Sequence, residues 1–112
     1  MKKLEAIIRH HKLDEVRNAL VETGVHGVTV TEVRGFGGSK GHMEIYRGQE
    51  YAVDFTPRLK VEVLVTDSQY APATEAIIKA ARTGQVGDGR ILVTKLAEVV
   101  RVRTGESGED AI

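Results

Sequence analysis

Apolar positions change their spacing at definite points along this chain, and each change predicts an element. Lys2 to Arg9 alternates imperfectly around Leu4, Ala6, Ile7 and Ile8, which predicts a strand. From Lys12 to Glu22 the period lengthens. Leu13, Val16, Ala19 and Leu20 fall on one helical face, and Asp14, Glu15, Arg17 and Asn18 lie mostly off it. Gly24 is placed to end that helix. Val25 to Arg34 predicts a second strand, with Thr29, Thr31 and Val33 facing one way and Val28, Val30 and Glu32 the other. Leu59 to Thr66 predicts a third, with Leu59, Val61, Val63 and Val65 on one side. Asp67 or Ser68 is expected to cap a second helix, with Pro72 in its first turn. Ala73, Ala76, Ile77 and Ala80 give that helix a small-residue face for close packing on a sheet, and Thr83-Gly84 stops it. Arg90 to about Val102 returns to strand spacing, bent or broken near Ala97. The acidic, glycine-containing segment 104–112 is expected to be mobile.

The order βαββαβ in 112 residues predicts one α+β domain with the ferredoxin-like sandwich. Its sheet is antiparallel and four-stranded, with both helices on one face. The other face is expected to hold Thr29, Thr31 and Glu62 together with Ile7 and Leu64, and therefore to need a cover. Self-association over it follows.

Between the second and third strands lies a long connection, Arg34 to Arg58, with the loop proper over about 36–57. Hairpin connections need only about two to five residues, and one this long in a small domain is normally disordered or functional. Glycines at 35, 37, 38, 41 and 48 make it pliable, and Glu44, Tyr46, Arg47, Glu50 and Tyr51 give it chemistry to present. We read it as the output of the domain.

Composition narrows the classes of function. Without cysteine the chain has neither disulfides nor thiolate metal sites, as suits a reducing cytoplasm. Its 16 Lys and Arg against 16 Asp and Glu give no net field for nucleic acid or anionic membrane. No run is long enough to span a bilayer. A soluble, cytoplasmic protein is expected. With two Phe and three Tyr, most of them in the loop, the core must be Val, Ile, Leu and Ala.

Two motifs carry candidate chemistry. In Thr83-Gly84-Gln85-Val86-Gly87-Asp88-Gly89-Arg90, glycines at 87 and 89 let backbone N–H groups converge on an anion, and Arg90 adds charge. The order of a Walker A loop is not met. Read alone, a helix stop and a tight turn is the preferred account. Arg101 and Arg103, two apart on a strand, would share a face and clamp a phosphate chain, although a solvated strand face is preferred when they are read alone. Arg34-Gly35-Phe36-Gly37 copies half of an RNA-recognition signature, but Gly38 and Gly41 replace its stacking aromatics, and RNA binding is rejected. His10, His11, His26 and His42 lack metal-ligand spacing, and no nucleophile–base pair is readable.

Together these segments are more specific than any one of them. Val28 to Val33 running into Gly35-Phe36-Gly37, Lys40-Gly41-His42, Glu44 to Tyr51, Val53-Asp54-Phe55, Thr83 to Val93 and Arg101 to Glu106 resemble, in order and spacing, the nitrogen regulatory protein P-II family along essentially the whole chain. The resemblance implies a homotrimer that binds ATP or ADP competitively in clefts between subunits, and 2-oxoglutarate together with Mg-ATP. It implies that the long loop docks on ammonium channels, on glutamine synthetase-modifying enzymes or on sensor kinases. By position, Thr29, Glu62 and Leu64 would meet adenine and ribose. Gly87, Asp88, Gly89 and Arg90 would hold phosphates, with Gly37 and Gly38 at the loop base and Arg101 and Arg103 completing the clamp. Ser39, Lys40, Gly41, Arg58 and Gly87 fall where 2-oxoglutarate binds. Tyr51 matches the uridylylation site, which implies a uridylyltransferase as a further partner.

The chain departs from the common bacterial pattern at several of these positions. Gly38-Ser39 stands in place of Arg-Gln, and Arg58 in place of a Lys. Ser39 reaches less far than Gln and is a poorer Mg ligand, and the planar fork of Arg58 is a different shape from an ammonium. The resemblance thus implies a non-enzymatic sensor. Its alternatives are a P-II-like adenylate sensor that does not read 2-oxoglutarate, and a slow ATPase.

Overall fold

A computed structural model describes residues 1–36, 42–46, 49–53 and 55–112, with side chains in 1–36 and 55–112. Six strands and two helices follow in the order β1 (Lys2–Ile8), α1 (Leu13–Glu22), β2 (Thr29–Gly35), β3 (His42–Tyr46), β4 (Gln49–Val53), β5 (Thr56–Val65), α2 (Asp67–Ala81) and β6 (Arg90–Lys95). Short 3-10 turns span His10–Lys12 and Gly108–Ala111. The main sheet has the order β2-β5-β1-β6, and every neighbouring pair is antiparallel. With α1 and α2 joined to the same side, this is the ferredoxin-like α+β sandwich.

Alternation decides which side is buried. Leu4, Ala6 and Ile8 of β1 and Leu59, Val61, Val63 and Val65 of β5 are buried against Val16 and Leu20 of α1 and Ala73, Ile77 and Ala81 of α2. The intervening residues face the other way. The register sets Thr29 opposite Glu62, Thr31 opposite Lys60, Leu64 opposite Lys3 and Leu92 opposite Glu5. The face expected to hold Ile7, Thr29, Thr31, Glu62 and Leu64 therefore does hold them, and among the described residues no helix covers it.

Several boundaries differ from expectation. Val25 is not in a strand. It is buried at the end of α1, its N–H donating to the Leu20 carbonyl at 3.3 Å, and pairing begins only at Thr29, beyond Gly27. The cap of α2 is neither Asp67 nor Ser68 but Thr66, whose hydroxyl accepts from Gln69 N while the Gln69 side chain accepts from Thr66 N at 3.0 Å. Pro72 is the sixth residue of that helix, beyond its first turn. β6 stops at Lys95 and does not reach Val102, because its partner β1 begins at Lys2, the residue opposite Lys95. Arg101 and Arg103 consequently lie on a turned segment and not on a strand. The segment 104–112 folds back, with Gly108 N donating to the Val99 carbonyl at 3.0 Å and to a Glu98 carboxylate oxygen at 2.8 Å.

The long connection contains structure that its glycines conceal. β3 and β4 pair antiparallel, Tyr46 opposite Gln49 and Glu44 opposite Tyr51. Its root joins the main sheet where Gly35 pairs with Thr56. There the rings of Phe36 and Phe55 meet edge to face, centroids 5.2 Å apart.

Candidate functional site: a glycine loop at one end of the open face

Residues 83–90 connect α2 to β6, and their shape follows from three glycines and one carboxylate. Gly84, Gly87 and Gly89 take positive φ values of 88°, 98° and 100°. The chain reverses twice around Asp88, a geometry that L side chains resist at the glycine positions. The Asp88 carboxylate accepts from the backbone N–H groups of Thr83 and Gly84, each at 2.8 Å, and from the Thr83 hydroxyl. Arg9 Nε donates to it at 3.2 Å. The Thr83 hydroxyl, foremost, then the Thr83 and Gly84 N–H groups and Arg9 hold this carboxyl far below the usual carboxylate range, against the opposing effect of desolvation. Asp88 is thus a permanent anion turned into its own loop. Its side chain shapes the loop, and only its backbone remains for a ligand.

The loop also presses on β1. Gly89 lies over the Ile7 carbonyl, where a side chain has no room. Arg90 follows at once, exposed and opposite Ile7 on the open face. The root of the long connection is at the same end of the sheet, since Leu59 pairs with Ile8 and Arg58 precedes it. Arg58 donates to the Pro57 carbonyl at 3.0 Å. The glycine loop and Arg58 therefore lie at the same end of the sheet on either side of β1, with the hairpin root at Thr56, three residues from Leu59.

The remaining expected site residues divide differently. Thr29, Glu62 and Leu64 line a separate cavity of about 410 Å³, walled on one side by Glu109, Ala111 and Ile112. Glu62 is paired there with Lys60 at 3.3 Å. Asp88, Gly89 and Arg90 line another cavity, of about 490 Å³, between α2 and β6. Arg101 and Arg103 line neither. Arg101 pairs with Glu106 at 3.3 Å across a turn closed by Gly105 N to the Arg101 carbonyl at 2.8 Å, and Arg103 is exposed. One chain thus brings the glycine-loop residues together, and separately the Thr29 group, but does not join the two. Gly37, Gly38, Ser39, Lys40 and Gly41 lie outside the described residues, as does the Tyr51 side chain, whose backbone is on β4. Arg9 is the residue that sequence reasoning missed. Its partners Val86 and Asp88 are 77 and 79 positions away, and nothing local marks it.

The profile of the family described as nitrogen regulatory protein P-II matches residues 1–106. The chain belongs to that family. Proteins named "Nitrogen regulatory protein P-II" are similar to it from end to end. The one from Azospirillum brasilense is 61% identical over 112 residues, those from Mesorhizobium japonicum and Rhizobium meliloti 59% and 58%, and in each case the whole of both chains is covered. The family's named members are regulatory proteins. Among the described residues, no helix is long and apolar enough to cross a membrane, and no group of three or more His, Cys, Asp or Glu is placed to hold a metal ion.

Proposed function

We propose that this P-II chain is a non-enzymatic nitrogen sensor, a homotrimer that binds ATP or ADP between subunits and signals through the segment 36–57. The observation that carries this reading is the division of the site. The cavity of Thr29, Glu62 and Leu64 lies at the β2 edge of the sheet and the glycine loop leads into β6 at the other edge, and a second copy laid against the open face would supply to each the half it lacks. The loop suits a polyphosphate: Gly87 and Gly89 free backbone donors, and Arg90 adds a cation. Arg101 and Arg103, on a turn that leaves the sheet, would reach such a ligand from the neighbouring subunit. Thr29, Glu62 and Leu64 would receive adenine and ribose.

The hairpin root and the glycine loop leave the sheet at the same end, which supports coupling between ligand and output. A phosphate chain held at Gly87–Arg90 would lie by Arg58 and the start of the long connection, so its length would bias the hairpin. Mg with ATP and 2-oxoglutarate would complete the site through Ser39, Lys40, Gly41, Arg58 and Gly87. The targets would be an ammonium channel, a glutamine synthetase-modifying enzyme or a sensor kinase in the cytoplasm, with Tyr51 open to a uridylyltransferase. Hydrolysis is the weaker reading, because Asp88, the carboxylate of the loop, is saturated with donors and too acidic to act as a base.

Calorimetric titration tests this in two steps. ATP and ADP should each bind in the micromolar range, and failure of both overturns the reading. 2-Oxoglutarate should then bind to protein saturated with Mg-ATP and not with Mg-ADP. No binding in either case, with the nucleotides still bound, makes the protein an adenylate sensor, the alternative raised by Gly38-Ser39.

A further inference from the structure

The glycine loop is internally well bonded and externally almost unattached. Thr83 and Gly84 N–H groups turn inward to Asp88, and Gln85 N turns inward to the Thr83 hydroxyl. Among the described residues, the hydrogen bonds joining 83–88 to the rest of the protein all come from Arg9. Its Nε donates to Asp88 at 3.2 Å and its Nη2 to the Val86 carbonyl at 3.0 Å. Arg9 is itself fixed, immediately after β1 and about four-fifths buried. The adjacent residue pair of β1, Ile7 and Ile8, lies under Gly89. The loop therefore meets the rest of the protein at one place, the end of β1, where the Arg9 guanidinium bonds it and Gly89 packs close over the Ile7 backbone.

We propose that Arg9 is the positioning residue of the phosphate loop: it sets the affinity for the phosphate chain of a nucleotide without touching it. This rests on the nucleotide reading above. The physical case is one of pre-organisation. A loop with three positive-φ glycines has many alternative conformations, and ordering it on binding would subtract from affinity. A planar fork bridging a carboxylate and a carbonyl removes those alternatives beforehand. A lysine, with a single nitrogen on a flexible stem, satisfies one acceptor at a time and restores the charge but not the geometry.

The test compares wild type, Arg9→Ala and Arg9→Lys by calorimetry with ATP, ADP and adenosine, and by amide hydrogen exchange at 83–89 in nucleotide-free protein. Losing two charge-assisted bonds from the loop should weaken ATP about tenfold in Arg9→Ala, ADP less, and adenosine by under twofold. Arg9→Lys should fall between wild type and Arg9→Ala. Exchange at 83–89 should quicken in the same order while exchange in β1 and β5 stays as in wild type. Equal weakening of adenosine and ATP, or wild-type ATP affinity in Arg9→Ala, overturns the inference. So does unchanged exchange at 83–89. If wild type binds no nucleotide, the functional reading falls and takes the affinity role with it, while the exchange data still decide whether Arg9 holds the loop.

Discussion

A Cβ atom built on Gly89 would stand 1.7 Å from the carbonyl oxygen of Ile7 and 2.8 Å from its carbonyl carbon. Both obstacles are backbone of a central strand, which cannot swing aside as a side chain does. Gly89 also has φ of +100°. Gly89→Ala should therefore lower stability by about 3 kcal/mol or more. Gly84→Ala is the control. It shares the positive φ but has nothing within 4 Å, so only the conformational cost of about 1–2 kcal/mol should appear. Urea unfolding of the two variants checks the difference. Equal losses would mean that the approach to Ile7 is not what selects glycine.

Asp88 predicts a pH dependence whose sign can be worked out. Its folded-state pKa is depressed, foremost by the Thr83 hydroxyl. In the unfolded chain it titrates near the ordinary value of about 3.9. The stability it contributes is therefore full above that value and is lost as pH falls below it toward the folded pKa. Asp88→Asn should lower stability at pH 7, and the two proteins should converge as pH is lowered from about 4 to 2. Denaturation midpoints across that interval check it. Parallel curves would show that the loop carboxylate is not held by these donors.

The cap of α2 predicts a smaller effect. Thr66 and Gln69 exchange reciprocal hydrogen bonds, and Gln69 Nε2 also donates to the Gly24 carbonyl at 3.3 Å. Thr66→Ala should cost about 1 kcal/mol. Ser68→Ala should cost much less, because among the described residues the Ser68 hydroxyl bonds only to that of Thr66, at 3.1 Å. Thermal unfolding of both variants separates them, and a larger loss in Ser68→Ala would contradict the assigned cap.

How far the sequence was legible depends on the range of each interaction. The alternation of β1 and β5 is local, and it correctly separated Val61 and Val63 from Glu62 and Leu64. The capping box was also local: Gln69 stands three residues after Thr66, a signal that outranks the nearer Asp67 and Ser68. The β3–β4 hairpin was readable in the alternation of His42 to Tyr46 and Gln49 to Val53, but the surrounding glycines argued for an open loop. The end of β6 was readable only in part: the strand spacing breaks near Ala97, two residues beyond Lys95, yet it resumes toward Val102. Lys95 stops the strand because β1 offers no further partner, a fact of register and not of the residues 96–102. Arg9 was hidden for the same reason, since its chemistry exists only once β1 and the glycine loop are brought together.

The open face gives the last prediction. Ile7 and Leu64 are half-buried on it and Leu92 is 45% exposed, among Lys3, Glu5, Lys60 and Glu62. The charges are largely neutralised within the face, by Lys3–Glu5 at 2.7 Å and Lys60–Glu62 at 3.3 Å. A face whose charges pair internally while its leucines do not is suited to packing against copies of itself. Leu92→Lys separates folding from association. Position 92 lies opposite Glu5, so the new charge meets an opposite one across the strands and the isolated sheet is not penalised. In an assembly the same lysine is buried at each copy and must be desolvated. Light scattering should give three chain masses for wild type and one for Leu92→Lys, with the circular dichroism spectrum unchanged. A trimer retained in the variant would move the interface away from β6, and a monomeric wild type would remove the trimer on which the divided site depends.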